Sequence, residues 1–267
     1  MNAVAHASPI WYIRWALRAE RLPWAGPACP TGVCRSGDRA LVITVDGPAA
    51  AGKSTVARRL ARLLGLVYLD TGAMYRAVTW KALSCGADMD DARQLAEVAA
   101  QACIELEPCE TGLRVLCDGR DVTKEIRTPQ VTESIYRLAD EPAVRRVLIE
   151  RQRRFAERHD CVAEGRDQGT EVFPAAQVKF YLDAGIEERA RRRLRDMAAA
   201  GVSVSLEEVM RQVAERDARD RSRPVGALRR QDDMVLVDST NMTADEVVEA
   251  MAAEARRRAP GCFPGPP

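Results

Sequence analysis

Histidine is almost missing from this chain. His6 and His159 are the only two, which excludes a histidine-rich catalytic site. No apolar run approaches the roughly 20 residues that a membrane-spanning helix needs, so no membrane association is expected. Net charge is equally scarce: 40 Lys and Arg stand against 39 Asp and Glu. That balance gives no global electrostatic case for nucleic acid or for an anionic lipid surface. Eight cysteines are present, but their irregular spacing in a chain of 267 residues does not form a disulfide framework. Cys85, Cys103, Cys117 and Cys161 lie in apolar runs and read as small buried hydrophobes. Cys29 and Cys34 have no second pair and no neighbouring histidine, so a four-ligand zinc site is not expected there. These absences leave a soluble, reduced, cytoplasmic protein as the expectation, and with no exposed apolar heptad a monomer is the default.

What is present begins after residue 38. The first 38 residues carry Trp11, Trp15 and Trp24, several prolines and no clear strand, and they read as a disordered or non-native extension. From Leu41 onward, short apolar runs alternate with helical patterns. Strands are expected at 41–45, 67–69, 161–163, 178–182 and 234–237, with helices at 54–64, 73–84, 142–158, 186–199, 206–219 and 243–257. Such alternation implies a parallel sheet covered on both faces, with ligands at the carboxyl ends of its strands. Asp46, Asp70, Glu164 and Asp183 all fall at those ends. The stretch 86–126 breaks the rhythm with a short helix and a small β unit around Glu110-Thr111-Gly112 and reads as an insertion. A second insertion is expected near 190–212, where Arg189, Arg191, Arg192, Arg193 and Arg195 crowd one helix.

The strongest local signal is Gly47-Pro48-Ala49-Ala50-Ala51-Gly52-Lys53-Ser54, followed by Thr55. It lies between the apolar run Leu41–Val45 and an amphipathic stretch in which Val56, Leu60, Leu63 and Leu64 recur at helical spacing. A G-x-x-x-x-G-K-S loop in that setting is a phosphate cradle. Its backbone N–H groups face the anion, the lysine reaches the β- and γ-phosphates, and the serine hydroxyl can ligate Mg²⁺. The segment implies binding of a nucleoside triphosphate.

Three further segments bear on the acceptor. In Asp70-Thr71-Gly72-Ala73-Met74-Tyr75-Arg76, Thr71 or Asp70 can cap a helix, placing a hydroxyl, free amides and the Arg76 guanidinium together for a second phosphate. An ordinary N-cap with a surface arginine fits the same letters. In Glu164-Gly165-Arg166-Asp167-Gln168-Gly169-Thr170, Arg166 can fork onto phosphate oxygens and Asp167 can accept from an exocyclic amine; a strand-end salt bridge is the plainer reading. In Glu215–Arg223, Arg216 and Asp220 lie one helical turn apart and can hold a ribose diol, or can simply form exposed ion pairs. Residues 211–230 hold seven arginines against three acids, and phosphoryl transfer to a phosphate acceptor calls for such neutralising charge. Other small P-loop kinases acting on UMP, AMP or a shikimate-like acceptor remain the alternative. A guanine-nucleotide switch would need an N-K-x-D motif, which the chain lacks.

In the order and spacing of these segments, with Glu125-Ile126-Arg127-Thr128 between them, the chain from Leu41 to about Arg257 resembles the bacterial cytidylate kinase family. The resemblance implies an α/β P-loop NTPase fold: a five-stranded parallel sheet flanked by helices, with an inserted CMP-binding domain and a helical lid. It implies a core of 39–85, 127–189 and 213–258, an insertion at 86–126, a lid at 190–212 and a disordered tail at 259–267. The implied reaction moves the γ-phosphoryl group of ATP, with Mg²⁺, to CMP or dCMP. Carried over by position, Thr71, Arg76, Arg166 and Arg223 hold the acceptor phosphate, Arg145 and Asp167 read the cytosine edge, and Arg216 and Asp220 hold the ribose hydroxyls. Lys53, Arg166 and Arg223 are the candidate catalytic groups, and Ser54 the metal ligand. Where many family members have a serine contacting the base, nine positions before Arg145, this chain has Tyr136, with Ser134 close by.

Overall fold

The computed structural model describes residues 40–109, 112–199 and 201–263. The expected N-terminal extension at 1–38, the paired cysteines Cys29 and Cys34, and the tip residues Glu110 and Thr111 lie outside the described residues. In chain order the elements are β1 Val42–Asp46, α1 Lys53–Leu64, β2 Val67–Asp70, α2 Thr71–Ser84, α3 Ala92–Gln101, β3 Ile104–Cys109, β4 Gly112–Cys117 and β5 Arg120–Asp121. They continue with α4 Pro129–Ala139, α5 Pro142–Ala156, β6 Cys161–Glu164, β7 Val178–Asp183, α6 Ile186–Ala199, α7 Leu206–Ser222, β8 Val235–Asp238 and α8 Ala244–Arg258. Two compact units result, one over residues 73–139 and the other over the described residues of 25–72 and 140–267.

The larger unit is built on a five-stranded sheet in the order β2-β6-β1-β7-β8. Every pairing in it is parallel. β1 is the central strand, and its β-branched run Val42-Ile43-Thr44-Val45 is buried throughout, as a strand covered on both faces must be. On α1 the residues Val56, Ala57, Leu60, Ala61 and Leu64 share one buried face. That face packs in a single cluster with Ile43, Phe180 and Leu182 of the sheet and Met251, Ala252 and Ala255 of α8. Leu60 is wholly buried, and its removal from water is worth on the order of 2 kcal/mol. Leu63, expected on the same face, is instead exposed, because it sits one position off the 56-60-64 stripe.

Several other expectations change at the level of single residues. Cys117 and Cys161 are buried, but Cys85 is exposed and Cys103 only half-buried, since each lies at the end of a helix or strand rather than within it. The expected disordered tail starts too early: Ala259, Cys262 and Phe263 pack against the large cluster, continuing the apolar face of α8. Helix α4, Pro129–Ala139, is not among the expected helices. Residues 190–212, expected to form a lid, span most of α6 and the start of α7; Ala190 and Val209 pack together with Val213.

In the unit 73–139, β3 and β4 form an antiparallel hairpin with β5 added at its edge. Among the described residues no helix is long and apolar enough to cross a membrane.

Candidate active site

β1 delivers the chain to the phosphate loop at Asp46. At Gly47 a Cβ would meet the Leu182 carbonyl oxygen at 2.0 Å, so the loop can run against β7 only with glycine there. Ala50 (φ 59) and Gly52 (φ 90) both take left-handed backbone, and the turn they make feeds directly into α1. Among the described residues no side chain caps the N-terminus of α1, which leaves the first-turn N–H groups to an anion. Lys53 Nζ folds back to donate to Pro48 O at 2.8 Å. Burial lowers the pKa of this ammonium to about 7, with Arg166 and Arg216 adding to the effect and Glu164 and Asp220 opposing it. A lysine so desolvated gains strongly from a phosphate that restores its counter-charge.

The carboxyl edge of the sheet adjoins this loop. Asp70 of β2 and Glu164 of β6 face each other in register. Glu164 Oε1 accepts from Ser54 Oγ at 2.7 Å and from the Tyr68 hydroxyl at 3.1 Å, while its Oε2 is buried with no hydrogen-bond partner among the described residues. Burial, and then Asp70, raise the Glu164 pKa. Thr71 is not the expected N-cap. It is the first residue of α2, and its hydroxyl donates to Glu164 O at 2.6 Å, stitching β2 to β6.

Beyond β6 the chain turns through Gly165-Arg166-Asp167 into a π-helical turn at Gln168–Val172. Asp46 fixes this turn from below: its two oxygens accept from Gln168 N at 2.8 Å and Gly169 N at 2.7 Å. Asp167 is paired with the buried Arg145 of α5. Burial raises the Asp167 pKa, and Arg145 and Arg223 pull against that rise. Arg166 Nε donates to Asp220 Oδ2 at 2.8 Å, and Arg223 Nη2 reaches Asp220 Oδ1 at 2.7 Å. Arg223 has left the helix, as the residue that ends α7, and its Nε donates to Asp140 at 2.5 Å. Burial alone would raise the Asp220 pKa, but Arg166, Arg223 and Arg216 hold it below the ordinary value.

Lys53, Ser54, Thr71, Arg145, Arg166, Asp167, Arg216, Asp220 and Arg223 therefore belong to one unit, as does the whole loop from Gly47 to Thr55. Arg76 and Tyr136 belong to the unit 73–139. There, Arg76 Nη1 donates to Thr132 Oγ1 at 2.9 Å and Ile126 O at 3.1 Å, and the Arg137 guanidinium lies 5.6 Å from the centre of the Tyr136 ring.

A model of the family described as cytidylate kinase matches residues 43–257, most of the chain and every segment of the site in the larger unit. The chain belongs to the cytidylate kinase family. A cytidylate kinase from Rhodopirellula baltica is 49% identical over 209 residues, 78% of this chain and 90% of that protein. One from Geobacillus kaustophilus is 46% identical over 211 residues, 79% of this chain and 94% of that protein. A bifunctional pantoate ligase/cytidylate kinase from a Synechococcus strain is 44% identical over 231 residues, and the match spans 42% of that longer protein.

Sequence reasoning misses part of the frame that holds this candidate site. Arg189, the last residue of the expected core segment 127–189, is buried, and so is Asp217, to which the sequence pattern assigns no role. The signal was available: Val209, Val213, Asp217 and Asp220 follow one another at helical spacing and are all buried, so two acids continue an apolar stripe. A carboxylate in such a position needs a partner.

Proposed function

We infer that this protein transfers the γ-phosphoryl group of ATP to CMP or dCMP, giving ADP and CDP or dCDP. The observation that carries the reading is the buried Arg145–Asp167 pair, one residue from Arg166 and on the same sheet edge as the Lys53 loop. Asp167 accepts from the exocyclic amine of cytosine, and Arg145 donates to its ring nitrogen and carbonyl. Arg166 and Arg223, already oriented by Asp220, take the acceptor phosphate with Thr71. Arg216 and Asp220 take the ribose hydroxyls. An acceptor that is itself a phosphate needs no protein nucleophile, so the work of the site is alignment and neutralisation of charge.

The residues present fit a magnesium ion accompanying ATP: the Ser54 hydroxyl and the unpartnered Glu164 Oε2 beside it are hard oxygen donors. Ser54 would hold the ion, which when bound neutralises charge on the β- and γ-phosphates. Lys53 then moves its ammonium from Pro48 O to the transferred group. In the same reading, residues 190–212 close over ATP, excluding water that would otherwise hydrolyse it. The enzyme acts as a cytoplasmic monomer on these small molecules, without nucleic acid or membrane.

Supplying ATP labelled in the γ-phosphate together with CMP tests this directly. Label appearing in CDP, one for each ADP formed, is the expected result; label released only as free phosphate would refute it.

A further inference from the structure

One buried ion pair grips both sides of a single residue in the phosphate loop. The Ala49 N–H donates to Asp217 Oδ1 at 2.9 Å, and the Ala49 carbonyl accepts from Arg189 Nη1 at 3.1 Å. The same Nη1 donates to Asp217 Oδ2 at 2.6 Å, and Arg189 Nε donates to Ala184 O at 2.8 Å, just past β7. Asp217 is 2% exposed and Arg189 5%. Arg192, three residues further along α6, donates to Ala51 O at 3.2 Å and to Ser239 O at 2.7 Å.

Burying two charges is costly, and an apolar pair of similar size fills the same space without that cost. What an apolar pair cannot do is bind the two polar groups of Ala49. Those groups matter because of their place. The preceding carbonyl, that of Pro48, is the one that receives Lys53, and the following residue, Ala50, is a left-handed alanine. A non-glycine residue holds that backbone only when its surroundings impose it. The grip comes from α6 and α7, the two arginine-rich helices, and not from the sheet that carries the loop.

We propose that Asp217 and Arg189 are positioning residues for ATP: they hold residues 47–54 in the phosphate-receiving shape before nucleotide arrives and tie that shape to α6 and α7. Neither residue is among those assigned to a substrate. The inference deepens the ATP-dependent transfer inferred above and rests on it.

The test compares the parent enzyme with Asp217→Asn and with the apolar double variant D217L/R189M. ATP affinity is measured by calorimetry without acceptor, KM for CMP by steady-state assay, and the melting temperature by scanning calorimetry. Asp217→Asn removes the carboxylate 2.6 Å from a buried guanidinium and leaves it only Asp183, at 3.9 Å, so the variant should bind ATP at least tenfold more weakly and also melt lower. The double variant removes both charges. It should recover the melting temperature while ATP affinity stays at least tenfold down, with KM for CMP within threefold of the parent in each variant. A double variant that recovers its melting temperature and binds ATP within twofold of the parent would overturn the proposal, as would equal losses for ATP and CMP. If Asp217→Asn fails to fold, the double variant alone decides. Failure of the parent itself to bind ATP would strike the underlying reading and not the clamp.

Discussion

Arg166 donates through Nε to Asp220 at 2.8 Å, so the guanidinium expected to meet the acceptor phosphate is oriented before any phosphate is present. Asp220 also takes Arg223, so one carboxylate sets two cations side by side that would otherwise repel. Such preorganisation removes part of the reorganisation cost from the chemical step.

Replacing Asp220 by Asn leaves these two arginines without their shared counter-charge. Removing one partner of a buried ionic network costs about 3 kcal/mol of stability. Urea denaturation should show a loss of that order together with a raised KM for CMP; unchanged stability would mean that the arginines do not depend on Asp220.

Lys53 should be indispensable for turnover and dispensable for folding. Lys53→Met should lower kcat by about 10³-fold, the scale for losing a group that meets developing charge, while the melting transition remains cooperative. Its pKa, depressed to about 7 in the folded protein against 10.5 for the free side chain, means that the unfolded chain binds more protons between those values. Stability should therefore rise with pH from about 7 to 10.5, and Lys53→Met should flatten that rise. Denaturation midpoints at pH 7, 8 and 9 check the slope.

Asp46 predicts the opposite slope in a lower window. Burial raises its pKa from 3.8 to about 7, against the hydrogen bonds from Gly169 and Gln168. Its folded state holds a proton that the unfolded state has lost, so its contribution is complete below about pH 4 and disappears as pH climbs through 7. Asp46→Asn should remove this fall in stability between pH 5 and 7; an unchanged slope would assign the effect to other groups.

Asp167 should discriminate between the two substrates. Asp167→Ala removes an acceptor for the cytosine amine and frees Arg145, so KM for CMP should rise at least tenfold while KM for ATP stays within threefold. Equal losses on both substrates would contradict a base-reading role.

The elements that could be read in advance are those whose pattern is local. β1, α1 and the phosphate loop declare themselves through a β-branched run, a helical stripe and two glycines at fixed spacing, and all five sheet strands lie within a residue or so of their expected places. Helix α4 is not legible in the same way, because only Val131, Leu138 and Ala139 of Pro129–Ala139 are buried and they make no continuous stripe. The fate of Thr71 was not readable, because whether a hydroxyl caps its own helix or bonds a neighbouring strand depends on where β6 comes to lie. The same holds for Asp217 and Arg189, 28 residues apart, whose meeting depends on how α6 packs against α7. The sequence shows which side chains can do chemistry. Which backbone group each one holds is decided by packing.

The most direct measurement is ADP release in a coupled assay with Mg-ATP, comparing CMP, dCMP, UMP, AMP and shikimate as acceptors. Strong turnover with CMP and dCMP and little with the others is the predicted result, and it would show that Tyr136 is compatible with cytosine selection. Preference for UMP, AMP or shikimate would contradict the assignment of Arg145 and Asp167 as the residues that read the base.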